Sequence, residues 1–454
     1  MAAQAKTRRY ENGTGETDRI SHLPPFLIDE VLERLWIHDA ARTSILSKTW
    51  RHIWEMHPNL HLNYKFITQL VTQKFAEMDE QTQMKEISKT ISNIFLSHSG
   101  PILSFFLYIP RDLPFHESSD LILWIKNISN KGVETLTLRN ESPVDCKIPS
   151  YFFSCVQLTD LGLEGCVLNP PLGFTGFSKL IRVDLKDVTF SGNMSFGTQV
   201  QDLRLHNCRG IEHLGRQFKP DNNLTALYFL NSDVIDWRWF ECTYKLQYLR
   251  IVMSKMPSST EKVINLDKLL GNMPRLDTLW LEGFVYREQS GNAEMLLDPS
   301  VFSDHMILDQ LETLKVINMV ASPNEFQLIR LLLASSPSLK SFDFNTEYII
   351  HDPAEELMIT QEEQSGHSMM LLDPWVFSDH MILDQLEILK VINMVGSRNE
   401  FQLIKLLLAS SPSLRSFDFN MEFIIDDPEE EFMISQEVHE MPRASRDVVI
   451  EWVI

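Results

Sequence analysis

Several features that define other classes of protein are scarce or absent in this chain of 454 residues. It has five cysteines, an odd number without a C-x-x-C pair, so a reduced intracellular setting fits best. No apolar run approaches the ~18 residues of a membrane span. The opening MAAQAKTRRYENGTGETDR lacks the apolar core of a signal peptide. We therefore expect a protein of the nucleus, the cytoplasm or both, with no membrane partner.

Motifs of catalysis are also missing. The sequence contains no G-x-S-x-G, no P-loop, no G-x-G-x-x-G and no H-E-x-x-H. Its fourteen histidines are scattered without metal-ligand spacing, and no basic phosphate-binding cluster is present. We accordingly expect no catalytic residue, no cofactor site and no metal site. Catalysis by this chain alone is the least favoured class of function.

Positive charge is in deficit along the chain. The formal net charge is -21, and residues 351–454 hold 21 acidic against 6 basic residues. Nucleic acids and anionic membranes attract proteins of the opposite sign. Neither is therefore expected as a partner. With 44% apolar and 10% aromatic residues, the chain can nevertheless form a large core.

The N-terminal region predicts a small helical domain. After a flexible tail over residues 1–17, the segment 18–60 predicts three short helices, because apolar residues recur at helical spacing and Asp39 and Ser47 can cap the second and third. Three side chains are expected in its core: Leu32, Leu35 and Trp54. So short a segment cannot bury all of its apolar surface, so part of it should face a partner.

A pattern of apolar-x-x-apolar-x-apolar begins at Val133 and occurs eleven times, mostly at intervals of roughly 20–35 residues. It is the signature of leucine-rich repeats, in which each unit supplies one strand and stacks on its neighbours in a curved solenoid. The predicted fold class is α/β. The small helical domain is followed by a mainly helical connector with a first strand near 102–109 (residues 61–130) and by leucine-rich repeats over residues 131–294. Cys166 and Cys208 fall where such repeats point a side chain into the stack.

Two near copies follow, at residues 295–362 and 370–437, offset by 75 positions and about four-fifths identical. Each predicts strand, loop, helix, Ser-Ser-Pro turn and strand. Only the second is followed by an apolar stretch, residues 447–453, that predicts a closing strand. Because the last unit of a solenoid must shield its open core, the second copy, with its closing strand over residues 370–454, should cap the array. The first copy then lies inside the array or is displaced from it. The alternative is an error in the gene sequence.

The segment from residue 18 to 54, DRISHLPPFLIDEVLERLWIHDAARTSILSKTWRHIW, closely resembles the F-box of plant proteins. The matching elements are Asp18-Arg19-Ile20-Ser21, Leu23-Pro24, the Leu27/Ile28 pair, Arg42-Thr43-Ser44, Leu46-Ser47-Lys48 and Trp50-Arg51. The two copies resemble the FBD region that follows leucine-rich repeats in one large plant family. Residues 441–445, Met-Pro-Arg-Ala-Ser, are similar to that family's ending. Nearly the whole chain thus resembles an F-box/FBD/leucine-rich-repeat protein.

The resemblance implies a non-catalytic subunit of a ubiquitin ligase. In that family the F-box docks on a Skp-type adaptor, which connects to a cullin and a RING subunit, and the repeats hold the target protein. The implied anchors of an apolar adaptor interface are Leu23, Pro24, Leu27, Ile28, Ile45, Leu46 and Trp50. Trp36 stands where the family usually has proline. This departure keeps open a second function, an interaction scaffold or decoy whose F-box does not enter a cullin complex.

Side chains between the paired apolar residues of each strand should line the concave surface of the sheet, because side chains alternate along a strand. A surface of mixed charge with large aromatic residues suits the recognition of a target protein. The candidate target-binding residues are Arg182, Asp184, Arg204, Tyr228, Tyr248, Arg250 and Trp280. The alternative is an ordinary solvated surface.

Overall fold

The computed structural model describes thirteen segments of the chain: residues 23–35, 37–43, 50, 53–111, 119–215, 217–231, 237–252, 270–283, 307–318, 323–345, 381–392, 398–420 and 435–452. The predicted tail over residues 1–17 lies outside them. So do Trp36, Ile45 and Leu46, three residues of the F-box resemblance.

A small helical domain comes first. Helix α1 spans Pro25–Glu33 and helix α2 spans Ile37–Arg42. A proline at the start of α1 costs no hydrogen bond, because the first N–H groups of a helix have no partner within it. Among the residues that the structure describes, the core of this domain contains Ile28, Leu32, Ala40 and Trp50. Most of the segment expected to form the third helix lies outside the described residues, and a 3-10 turn, Trp54–Met56, follows it.

Two of the three core assignments in this domain are wrong, because Trp54 is only half-buried and Leu35 is exposed. The sequence predicts Leu35 in the core, but its side chain is 36% exposed. Leu35 follows the end of α1 and lies on the stripe of Leu27 and Val31, four residues apart on the helix. The buried stripe is the neighbouring one, which carries Ile28 and Leu32.

Fourteen parallel strands form one sheet over the rest of the described chain, and they pair in chain order. Their bounds are β1 (Asn59–Leu62), β2 (Ser104–Ile109), β3 (Thr135–Asn140), β5 (Asp160–Glu164), β7 (Arg182–Lys186), β9 (Asp202–His206), β10 (Ala226–Leu230), β11 (Tyr248–Val252), β12 (Thr278–Glu282), β13 (Thr313–Ile317), β14 (Ser341–Asn345), β15 (Ile388–Ile392), β16 (Ser416–Phe419) and β17 (Val449–Trp452). A second, three-stranded sheet contains β4 (Cys146–Lys147), β6 (Cys166–Leu168) and β8 (Thr189–Phe190).

Every residue of the eleven repeated apolar patterns is buried. The last two members of each pattern lie in a strand and point to the same face, since side chains of a strand alternate. They form one continuous hydrophobic core along the sheet. Each unit therefore completes its core only against its neighbours, as expected for stacked repeats.

The sheet begins earlier than the sequence predicts. The first strand was expected near residues 102–109, yet β1 starts at Asn59, inside the segment assigned to the small helical domain. In β1 the buried Leu60 and Leu62 flank the exposed His61, which is the alternation of a half-buried strand. Four residues are too few for this period to stand out from the neighbouring helical pattern.

Six strands of the repeats end in the same kind of turn. The residue after each strand has a positive φ, and it is glycine, asparagine or aspartate, the residue types that tolerate this conformation. The six are Gly165, Asp187, Asn207, Asn231, Gly283 and Asn318. The turn N–H then bonds the next repeat: Gly165 donates to the carbonyl of Lys186 at 3.0 Å, and Asn231 donates to that of Val252 at 2.8 Å.

Helices lie in the connections between some of the strands. They are α3 (Tyr64–Gln69), α4 (Glu80–Ser97), α5 (Ser119–Ser129), α6 (Pro323–Ala334) and α7 (Arg398–Ser410), and residues 435–440 are also helical. Helix α4 is capped by Asp79, whose Oδ1 accepts a hydrogen bond from the Thr82 N–H at 3.0 Å. No helix in the described segments is both long and apolar enough to cross a membrane.

The two near copies lie side by side in the sheet. The first supplies β13, α6 and β14, and the second supplies β15, α7 and β16. β14 pairs with β15, so that Phe342 is the register partner of Leu389. β17 follows the second copy and ends the sheet. The first copy is therefore internal, and the second lies at the end with the closing strand.

Candidate functional site

The predicted target-binding residues share one face of the sheet, which we call the open face. Their side chains are exposed or half-buried, whereas the leucines and other apolar residues that alternate with them are buried. Strand register places five of them in one row, in the order Asp184, Arg204, Tyr228, Arg250 and Trp280. The other two, Arg182 and Tyr248, lie two residues earlier in their strands.

Six side chains of the open face form two neighbouring stacks, which together we call the stacked cluster: Arg204, Tyr228 and Tyr248 form one, and Arg250, Trp280 and Lys315 form the other. The guanidinium of Arg204 lies 4.6 Å from the ring centroid of Tyr228. The rings of Tyr228 and Tyr248 are stacked with centroids 4.7 Å apart. The guanidinium of Arg250 lies 3.6 Å from the ring centroid of Trp280, and Lys315 Nζ lies 5.3 Å from the same centroid. A cation above an aromatic ring is attracted by the partial negative charge of the ring face, and each such pair contributes about 0.5–2 kcal/mol of stabilisation.

Each cation of the stacked cluster has its own acid. Arg204 makes two bonds to Asp202, at 2.8 and 3.0 Å, and these bonds raise the pKa of Arg204. Arg250 Nη2 donates to Glu282 Oε2 at 2.7 Å. Lys315 pairs with Asp343. The cluster is therefore close to neutral, and its cations do not form a free positive patch.

The tyrosines of the cluster stay protonated. Burial raises the pKa of both Tyr228 and Tyr248, because the charged phenolate is poorly solvated there. Both hydroxyls can therefore donate a hydrogen bond at any physiological pH.

Two further donors in the cluster have no hydrogen-bond acceptor. Arg250 Nε and Trp280 Nε1 are buried, and no acceptor for either is found among the described residues. A buried donor without a partner costs about 1–3 kcal/mol. Six other buried side-chain atoms of the described residues also lack a partner, but Arg250 and Trp280 are register partners on adjacent strands of the open face.

A shallow depression of about 420 Å³ lies beside the cluster, over β3, β5, β7 and β9. Its lining includes Arg182, Asp184 and Arg204, so it brings the remaining predicted residues together. Gly162 is the register partner of Asp184 and has no side chain, which leaves the middle of this surface low. Arg182 pairs with Asp160 across neighbouring strands. Arg182 and Asp184 adjoin the stacked cluster but take no part in its stacking.

Three residues of the site escaped the sequence analysis, namely Asp202, Lys315 and Asp343. Lys315 lies in β13, in the first of the near copies, and is the register partner of Trp280. The signal was present, because the alternation that selects Trp280 in β12 also selects Lys315 in β13. Beyond Lys315 the row of register partners continues with ion pairs. One of them joins Lys390 Nζ to Asp418 Oδ2 at 2.9 Å.

The small helical domain separates the predicted adaptor anchors into two groups. Ile28 and Trp50 are 1% and 2% exposed, so in this conformation they belong to the core of the domain, and their contact with an adaptor stays a prediction. Pro24 is exposed, and Leu23 and Leu27 are half-buried.

Apolar side chains that the sequence analysis did not select are exposed on the same helix. Phe26, Val31 and Leu35 are 68%, 40% and 36% exposed. Val31 and Leu35 continue the stripe of Leu27 at helical spacing. This stripe is the apolar surface that the domain leaves uncovered among the described residues.

The cysteines serve as core residues. Cys166 and Cys208 are fully buried, as the repeat position predicts. Burial raises the pKa of Cys208 to about 12, which leaves little reactive thiolate. In the part of the chain that the structure describes, no three His, Cys, Asp or Glu side chains are grouped so that they could hold a metal ion.

The sequence is similar to known proteins over nearly its whole length. Residues 20–62 match the F-box domain family. An F-box/FBD/LRR-repeat protein of Arabidopsis thaliana is 26% identical over 90% of this chain and 94% of its own length. A second Arabidopsis protein of the same description is 35% identical over 74% of this chain and 79% of its own length. An Arabidopsis F-box/LRR-repeat protein is 24% identical over 95% of this chain and 96% of its own.

Proposed function

Because this chain belongs to the F-box/FBD/LRR-repeat protein family, we propose that it is the substrate-recognition subunit of a Skp-cullin-F-box ubiquitin ligase. F-box domains typically bind Skp-type adaptors, and F-box/LRR proteins generally select substrates without being catalysts themselves. In this proposal the F-box docks on the adaptor, the adaptor joins the cullin and RING subunits, and the repeats hold a target protein. The complex would act in the nucleus, the cytoplasm or both.

The observation that carries the adaptor part is the uncovered apolar stripe on α1. Phe26, Leu27 and Val31 leave an apolar surface beside the small core that Ile28, Leu32, Ala40 and Trp50 form among the described residues. Exposed apolar surface on a soluble domain is typical of an interaction site. The proposed contacts are therefore Leu23, Pro24, Leu27, Phe26, Val31 and Leu35, with Ile28 and Trp50 supporting them from below.

The target part is supported by the open face. Tyrosine, tryptophan and arginine are the residues most enriched where protein interfaces gain their binding energy. They occur here together on three adjacent strands, β10 to β12. We further propose that each of the two near copies is an FBD-type unit and that both extend the repeat array.

A scaffold or decoy is the second candidate. Its support is Trp36, which replaces the usual proline between the first two helices of an F-box. A chain of this kind would bind the adaptor weakly or would bind it without a cullin.

Adaptor binding by the full chain tests the proposal. We expect a purified Skp-type adaptor to bind in titration calorimetry, and Val31→Asp to weaken binding at least about tenfold, because a charge would be buried in an apolar interface. Arg34→Ser on the solvent side of the same helix is the matched control, since Arg34 makes only an exposed ion pair with Glu30. It should bind like the native chain. Native-like binding by Val31→Asp would contradict the interface, and failure of the folded native chain to bind would favour the scaffold.

A further inference from the structure

The stacked cluster contains more hydrogen-bond donors than the described residues around it can satisfy. Arg250 Nε and Trp280 Nε1 are donors without acceptors, and they belong to register partners on β11 and β12. Register partners on neighbouring parallel strands are about 4.8 Å apart, so both donors belong to one small patch. Tyr228, the register partner of Arg250 on the other side, adds a protonated hydroxyl.

The surrounding acids are already engaged. Asp202 bonds Arg204, Glu282 bonds Arg250 through Nη2, and Asp343 bonds Lys315. Within the described residues no acid of the patch remains to accept from the two N–H groups. A bound molecule can supply the acceptor that these two N–H groups lack among the described residues.

We propose that the stacked cluster recognises the carboxylate of an Asp or Glu side chain in a segment of the target protein. The carboxylate would accept from the N–H groups of Arg250 and Trp280, and neighbouring apolar groups of the segment would pack on Tyr228 and Tyr248. This proposal rests on the proposed function, since it takes the repeats to hold a target.

A carboxylate fits better than a neutral carbonyl. It has two oxygens with about four lone-pair sites, enough for two donors at once. Hydrogen bonds from a guanidinium to a carboxylate are also about twice as strong as those between neutral groups. Both side chains keep part of their surface exposed, but the two N–H groups themselves are buried, so the proposal requires these side chains to turn toward the ligand on binding.

A phosphate fits less well. Phosphate recognition uses clusters of arginine without competing acids. Here each cation is paired, and a group of about -1.5 to -2 charge would lie beside Glu282 and Asp343. The net charge of -21 also opposes a strongly acidic ligand. A single carboxylate carries a smaller charge than a phosphate, so it meets less repulsion from Glu282, from Asp343 and from the net charge of the chain.

The test is selection of random 12-residue peptides on the full chain, followed by binding measurements with one selected peptide. We expect Asp or Glu to be enriched at one position. Replacing that residue by Asn or Gln in the synthetic peptide should weaken binding at least about tenfold. No enrichment of an acid, equal binding by the amide analogue, or tighter binding by a phosphoserine analogue would each overturn the proposal.

Trp280→Phe separates binding from folding. It keeps an aromatic ring under Arg250 but removes the unpartnered N–H. Peptide affinity should fall about tenfold while the unfolding midpoint stays the same or rises, because an unsatisfied buried donor is removed. Lys390→Met, three strands further along the same row, is the control and should bind the peptide like the native chain. Unchanged affinity in Trp280→Phe, or loss of affinity together with a lowered midpoint, would contradict the proposal.

Adaptor binding by Trp280→Phe is measured in parallel, because the two proposals can fail separately. Normal adaptor binding with no acid preference in the peptides overturns only the carboxylate proposal. If the native chain does not bind the adaptor, the proposed function is overturned, and with it the role of the peptide as a ubiquitination target.

Discussion

The guanidinium of Arg250 lies 3.6 Å from the ring centroid of Trp280, its register partner on the next strand. The same guanidinium bonds Glu282 at 2.7 Å, two residues further along the strand of Trp280. One arginine thus fixes both an aromatic ring and a carboxylate of the neighbouring repeat. These contacts fix the arrangement of Arg250, Trp280 and Glu282 in the free protein.

Removing Arg250 should cost more stability than removing a lysine from a similar row position. Arg250→Ala loses the stacking on Trp280 and leaves Glu282 without its cation, so we expect about 1–2 kcal/mol of destabilisation in urea unfolding. Lys390→Ala is the control. Its pair with Asp418 is more exposed and has no ring beneath it, so about 0–1 kcal/mol is expected. Equal losses for the two variants would show that the stacking contributes nothing.

Two glycines with similar backbones should respond differently to alanine. Gly132 and Gly165 have φ of 80° and 64°, so each Gly→Ala change carries a left-handed backbone cost of about 1–2 kcal/mol. A Cβ on Gly132 would have nothing within 4 Å, whereas a Cβ on Gly165 would lie 2.2 Å from the carbonyl oxygen of Asn140. We therefore expect Gly165→Ala to be the more destabilising by at least about 1 kcal/mol in thermal or urea unfolding. Similar losses would contradict the close approach of the two repeats at this turn.

Thiol reactivity should distinguish the buried cysteines from the remaining one. Burial raises the pKa of Cys155 and Cys208 to about 12, and Cys146 and Cys166 are fully buried. Only Cys242 is half-buried. The native chain should therefore react with a thiol reagent at no more than one fast site, and all five thiols should react in denaturant. Cys242→Ser should remove the fast phase. A fast phase that persists in this variant would contradict the packing of the repeats.

The pair of Lys390 and Asp418 should stabilise the protein over a defined pH window. Burial opposes the charge on Asp418, but bonds from Ser416 and Lys390 outweigh it and lower its pKa below 3.8, the ordinary value. The bond to Asp418 raises the pKa of Lys390 above its ordinary 10.5. Because its pKa is lowered, the Asp418 carboxylate stabilises the fold above pH 3.8, and this stabilisation is lost as the pH falls through the lowered pKa. Because its pKa is raised, the Lys390 ammonium stabilises the fold below pH 10.5, and this stabilisation is lost as the pH rises through the raised pKa.

The measurement for this pair is the difference in unfolding free energy between the native chain and Lys390→Met. We expect a difference at pH 7 that shrinks as the pH falls well below 3.8. A difference that is the same at pH 7 and in strong acid would mean that the substitution acts through packing and not through the ion pair.

The repeat architecture was predictable because its signal recurs. A single apolar triplet is weak evidence for a repeat in a chain this apolar. Eleven triplets together define the strands, and every residue of these triplets is buried. Short or isolated elements were not predictable in the same way. β1 has only four residues, and Leu35 lies just past a helix end, where helical spacing no longer decides between core and surface.

The candidate site was predictable only in part. Alternation along the strands identifies which side chains share the open face, and so selects Tyr228, Arg250 and Trp280 correctly for that face. It says nothing of which side chains stack or which donors remain unpaired, because those depend on rotamers. In the helical domain the resemblance identified the F-box, yet the division between Ile28 in the core and Val31 on the surface required the packed structure.

Reconstitution of the full chain with a Skp-type adaptor, a cullin and a RING subunit tests the account most directly. We expect size-exclusion chromatography with light scattering to give one complex that contains all four proteins, and Val31→Asp to drop out of it. A folded native chain that binds the adaptor but excludes the cullin, or that binds neither, would contradict the role as a substrate-recognition subunit and establish the scaffold or decoy instead.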